Sequence, residues 1–125
     1  MPDTPKRQHL PNTVMLVEDT TAIRTLQRFL LNRTGLQVLE CADLPEAEDA
    51  LNQFNPGLIV PDLNLPGGHG LNLLSHIDRS VTSLLVMSSM TQEHTAELSQ
   101  STADAFLPKP FDPAVFVKTV QELLP

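Results

Sequence analysis

Residues 58–70, Leu58-Ile59-Val60-Pro61-Asp62-Leu63-Asn64-Leu65-Pro66-Gly67-Gly68-His69-Gly70, join an apolar run to a single carboxylate and then to a loop rich in proline and glycine. Consecutive apolar residues, without the polar alternation of a half-exposed strand, call for cover on both faces, as in a parallel sheet packed between helices. The Pro-Gly pair beyond them is a turn signal. Asp62 is therefore predicted at the C-terminal end of a buried strand, where open α/β sheets bind their ligands.

The rest of the chain repeats the pattern. Val14-Met15-Leu16-Val17 ends at Glu18-Asp19, and Ile23, Leu26, Phe29 and Leu30 then recur at helical spacing up to Gly35, a helix stop. Leu36–Cys41 is strand-like, and Asp43 with Pro45 and Glu46 opens a second helix whose face is marked by Leu44, Ala47, Leu51 and Phe54. After the strand ending at Asp62, a third helix is predicted with Leu71, Leu74 and Ile77 inward. Leu84-Leu85-Val86-Met87 ends in Ser88-Ser89, and Thr91–Ser101 is helix-compatible with a sparse apolar face, having only Leu98 as a large apolar residue. Residues 104–108 form a short fifth strand, followed by Lys109-Pro110 and a last helix capped by Asp112 with Pro113 at its first position, lined by Val115, Phe116, Val120 and Leu123. Five strand–helix units with short connections predict an α/β fold: a doubly wound five-stranded parallel sheet with helices on both faces.

Composition narrows the function. At 125 residues the chain supports one domain, predicted over 14–125, behind a flexible N-terminal tail over 1–13 that carries Pro2, Pro5 and Pro11. No apolar run is long enough for a membrane span and no secretory h-region follows Met1, while the single Cys41 fits a reducing, cytoplasmic compartment. A net charge of −7, with Lys6-Arg7 as the one adjacent basic pair, argues against nucleic-acid binding by this domain. His9, His69, His76 and His94 lack metal-ligand spacing and read as surface residues.

In a parallel sheet all strand C-termini share one edge, so Glu18, Asp19, Asp62, Ser88 and Lys109 should converge. Crowded carboxylates repel one another unless a cation neutralises them, and all-oxygen ligation suits Mg²⁺ beside a phosphate. Singly each residue has a plain alternative: Asp19 as a helix cap, Asp62 as a turn cap, Ser88 as a strand-end hydroxyl, Lys109 as a solvated lysine, Phe106 as core filling. The first four together, at one sheet edge, outweigh those alternatives, while for Phe106 core filling stays a serious competitor.

The constellation resembles the receiver domain of two-component response regulators, over roughly residues 13–124. The resemblance implies the flavodoxin-like strand order 2-1-3-4-5. It implies phosphorylation of Asp62 by a sensor histidine kinase or phosphotransfer protein, with Mg²⁺ held by Glu18, Asp19, Asp62 and the Asn64 backbone carbonyl. The Ser88 hydroxyl and the Lys109 ammonium would donate to the oxygens of the phosphoryl group on Asp62. Ser88 and Phe106 would then switch the surface of the fourth helix, fifth strand and fifth helix, which could serve an output domain, a downstream target or a homodimer. The Lys109-Pro110 bond is implied to be cis. Such a domain is a signalling module whose only chemistry is its own phosphorylation and dephosphorylation.

Two prolines depart from the family pattern: Pro61 removes a ladder donor in a central strand, and Pro108 does so in an edge strand. Three other readings stand beside the leading one. A receiver-like module that is never phosphorylated is favoured only by Pro61. A haloacid-dehalogenase-like phosphatase would need an aspartate where Asn64 stands. A flavodoxin-like FMN carrier would find its phosphate repelled by Glu18-Asp19.

Overall fold

The computed structural model describes residues 7–65, 68–88 and 103–124. Five strands form one parallel sheet: β1 (Gln8–Val17), β2 (Gln37–Cys41), β3 (Phe54–Pro61), β4 (Ser83–Ser88) and β5 (Ala105–Pro108). Their spatial order is 2-1-3-4-5, as the resemblance implied. Helices α1 (Thr21–Asn32), α2 (Leu44–Gln53) and α3 (Pro113–Leu123) and a 3-10 helix (Gly70–His76) flank it. Residues 58–60 are shielded on both faces, as are 14–17 in the neighbouring strand.

Strand alternation divides the core in two. Met15, Val17, Ile59, Leu84 and Val86 pack with Leu44, Ala47 and Leu51 of α2 and with Leu73 and Ile77. Val14, Leu16, Leu58, Val60, Leu85 and Met87 pack with Leu31 of α1 and with Phe116 and Val120 of α3. Each fully buried Leu or Phe contributes roughly 1.5–3 kcal/mol, so both layers bind their helices firmly.

The helix ends follow their sequence signals. Asp43 accepts from Glu46 N at 2.9 Å, and Glu46 Oε1 accepts from Ala42 N at 2.7 Å. Asp112 Oδ1 accepts from Ala114 N and Val115 N at 2.8 and 3.2 Å. Beyond α1, Gly35 takes a φ of 86°, a conformation that costs glycine little, and its N–H reaches Asn32 O at 3.1 Å.

Several expectations are corrected. The tail predicted through residue 13 is structured from Gln8: Gln8, His9 and Leu10 pair with Phe54, Asn55 and Pro56 before a bulge near residues 10–14. This pairing is anchored by Arg7, which donates to Asn55 Oδ1 and His76 O, and by Gly57, where a Cβ would collide with Pro11 O. Residues 1–6 lie outside the described residues. Phe54, assigned to the face of the second helix, takes φ −133° and ψ 147° and opens β3. The third helix is a 3-10 helix over Gly70–His76; Leu73 and, just past its end, Ile77 are buried, Leu74 is only partly covered, and the side chain of Leu71 lies outside the described residues. On α1 the buried residues are Gln27 and Leu31, whereas Leu26 and Phe29 remain exposed. His76 is half-buried, with Nε2 3.6 Å from Glu48 Oε2. The helix anticipated over 91–101 lies outside the described residues.

The two prolines have different effects. Along β1 the pairing of β3 runs without a break from Val14↔Leu58 to Val17↔Pro61, and Asp62 N donates to Val17 O at 2.9 Å. Toward β4 the ladder runs Leu58↔Ser83 and Ile59↔Leu84, lapses, and resumes at Asp62↔Met87 in the same register, with Leu63 N donating to Met87 O at 2.9 Å. The lapse falls where the amide of residue 61 would point, so Pro61 removes one bond and leaves Asp62 in register. In β5, Lys109 N donates to Ser88 O at 2.8 Å, so by alternation the position of Pro108 faces the open edge, where no donor is needed.

Candidate phosphoryl and cation site

The ends of β1, β3 and β5 bring Glu18, Asp62 and Lys109 together. Lys109 Nζ donates to Glu18 Oε1 and to Asp62 Oδ2, each at 2.8 Å, and only 11% of the lysine side chain is exposed. Glu18 and Asp62 are buried, while Asp19 is exposed at the mouth. One carboxylate oxygen from each of the three acids lies within 4.8 Å of the other two. Lys109-Pro110 is cis, as the resemblance implied.

The backbone explains this placement. Glu18 N donates to Cys41 O at 3.0 Å and Glu18 Oε2 accepts from Thr20 N at 3.1 Å, so the turn leaving β1 is fastened to β2 and to its own acid. The N-cap of α1 is Thr20, so Asp19 is not spent as a cap. Gly70 N donates to Leu63 O at 2.9 Å, and a Cβ on Gly70 would collide with the Asp62 carbonyl. A glycine there lets the loop close against the strand end. Asn64 is paired with His69 in a two-residue hairpin, Asn64–Leu65 against Gly68–His69.

Burial pushes the Glu18 carboxyl above its ordinary range, and the hydrogen bonds from Lys109 and Thr20 only partly offset this. Burial alone would lower the Lys109 ammonium, but its bonds to Asp62 and Glu18 prevail and hold it above the usual lysine value. Two buried acids share one ammonium, and a third acid stands beside them. That set suits a hard cation with oxygen ligands, and Mg²⁺ fits it.

Ser88, fully buried at the end of β4, is tied through its backbone oxygen to Lys109 N. The pairing Val86↔Phe106 puts Phe106 on the same sheet face as Val86, and Ser88, two residues on, shares that face. Phe106 is partly buried against the Met15–Val86 layer. Beside Lys109, Ile23, Leu26, Pro110 and Phe111 line an apolar recess of about 450 Å³. Sequence reasoning missed Arg24, whose guanidinium reaches the Glu18 carbonyl. Its position one turn into α1 was the available signal.

Comparison with known proteins decides the family. The model of the response regulator receiver domain matches residues 14–121. The chain belongs to the response regulator receiver family. The phosphate regulon transcriptional regulatory protein PhoB of Escherichia coli is 31% identical over 116 residues, covering 89% of this chain and 51% of PhoB. The aerobic respiration control protein ArcA of the same organism is 26% identical over 113 residues, covering 89% of this chain and 48% of ArcA. The chain thus spans about half the length of the curated relatives it matches. Chemotaxis response regulator CheY4 of Vibrio cholerae superposes with a TM-score of 0.79 at 26% identity, covering 90% of this chain and 98% of CheY4. A CheY-like receiver domain from Methanospirillum hungatei gives 0.82 at 21% identity, covering 95% and 94%, a likeness of fold. A receiver domain of two-component signal transduction is thereby established, and the dehalogenase and FMN-carrier readings fall away.

Proposed function

We propose that this receiver domain accepts a phosphoryl group on Asp62 in a Mg²⁺-dependent reaction. The observation that carries the reading is the buried Asp62 carboxylate, bonded to Lys109 and gathered with Glu18 and Asp19 at one sheet edge. Glu18, Asp19, Asp62 and the Asn64 carbonyl would hold the ion, which supplies positive charge against the phosphoryl oxygens. An Asp62 oxygen attacks phosphorus in line. The new O–P bond forms as the bond to the donor breaks, and the leaving group, carboxylate from an acyl phosphate or imidazole from a phosphohistidine, departs with the bonding pair. Lys109, already bonded to Asp62, is ready to donate to the incoming oxygens. Ser88 is the hydroxyl that would move toward them, and its shift on the face shared with Phe106 would let that ring turn inward and reshape the surface around β5 and α3.

The phosphodonor would be a sensor histidine kinase or phosphotransfer protein in the cytoplasm. The apolar recess of Ile23, Leu26, Pro110 and Phe111 beside Lys109 offers it a landing surface. The switched surface would control an output region, a separate target or a homodimer.

Intact-mass measurement after incubation with acetyl phosphate and Mg²⁺ tests the reading. One added phosphoryl group is expected, absent in Asp62→Asn. Full labelling of that variant would refute the assignment, and no labelling of the wild type would favour an unphosphorylated interaction module.

A further inference from the structure

Arg24 stands one turn into α1 with only 16% of its side chain exposed. Its Nη1 donates to the backbone oxygen of Glu18 at 2.7 Å and its Nε to Glu40 Oε1 at 3.1 Å. The other Glu40 oxygen accepts from Arg28 Nη1 at 3.1 Å, so a β2 carboxylate clamped by two arginines sets the direction of the Arg24 fork. The bonded carbonyl belongs to the peptide joining Glu18 to Asp19. That peptide is the one part of the turn not fixed by the bonds from Glu18 N to Cys41 O and from Thr20 N to Glu18 Oε2. Rotation about it would leave Glu18 in place and swing Asp19 away from Asp62.

We propose that Arg24, braced by Glu40, is a positioning residue for divalent-cation binding: by holding the Glu18 carbonyl it fixes the peptide plane from which Asp19 projects toward Asp62. The inference rests on the proposed Mg²⁺ site and adds a residue of the same sign of charge as the ion. That charge gives the test its sign. An arginine acting merely as a nearby cation would repel Mg²⁺, and its removal would tighten binding. An arginine acting through position would weaken binding when removed, against the Coulomb trend.

Mg²⁺ titration by calorimetry of the wild type, Asp19→Asn, Arg24→Met and Arg24→Lys, with thermal melts in chelator as a folding control, separates the cases. Arg24→Met keeps the apolar stem but neither donor nor charge, and its Mg²⁺ Kd should rise roughly tenfold, as expected for losing a charge-assisted bond. Arg24→Lys can hold the carbonyl but not Glu40 at the same time, so its Kd should rise only about twofold to threefold. A Kd for Arg24→Met equal to or below that of the wild type overturns the proposal. If Arg24→Met does not fold, Arg24→Lys decides: a twofold to threefold rise supports the proposal, and an unchanged or lower Kd overturns it. A wild type that binds no Mg²⁺, or Asp19→Asn that binds as well as the wild type, instead defeats the cation reading itself and the inference with it.

Discussion

At the scale of single residues, Lys109 serves as counter-ion to two buried acids. Removing one partner of a buried charge cluster costs far more than a surface pair, roughly 3–5 kcal/mol, because the remaining charges lose compensation. Lys109→Ala should therefore lose on the order of 3 kcal/mol in chelator and recover much of it in Mg²⁺, which can neutralise the same carboxylates. Urea unfolding with and without Mg²⁺ checks this, and equal losses in both conditions would contradict it. Most of the site could be read from the chain because each of these residues follows an apolar run and a parallel sheet brings such ends together. Arg24 could not be read this way: its bond is to a backbone oxygen, and its place one turn into α1 was the one hint the chain offered.

At the scale of elements, caps and apolar runs were legible, but the start of β1 and the character of the third helix were not. Residues 7–11 are polar and proline-bearing, and they are held in place by contacts with Asn55, Gly57 and, through Arg7, His76 far along the chain. Gly70-Leu71-Asn72-Leu73 suits several windings, so its apolar spacing did not single out the 3-10 form in which Leu73 enters the core. The last helix follows its signals closely, since Asp112 caps two amides and Pro113 starts the turn. Asp112→Ala should cost about 1 kcal/mol, read as a lowered urea midpoint with an unchanged m-value. A loss below about 0.3 kcal/mol would mean that burial of Phe116 and Val120 already holds that end.

At the scale of the whole molecule, Cys41 reports on global opening. It lies at the end of β2 within the core layer facing α2, and burial, with smaller contributions from Glu46 and Asp43, pushes its thiol up to about 12 from 9.0. Because the folded value is raised, the stability it contributes is complete below pH 9 and is lost as pH climbs from 9 toward 12. Thiol labelling of the native protein at pH 8 should be slow and accelerate in proportion to unfolding by urea. Rapid labelling without denaturant would show that β2 opens by itself.

The register of β1 carries a practical corollary. Gln8 pairs with Phe54 at one end of the sheet, and Val17 leads into the acidic turn at the other. A ten-residue strand at about 3.3 Å per residue separates those ends by on the order of 25–30 Å. A fluorophore attached near Gln8 would thus sit on the pole opposite Asp62, a quiet handle for immobilising the protein while phosphorylation is followed at the far rim.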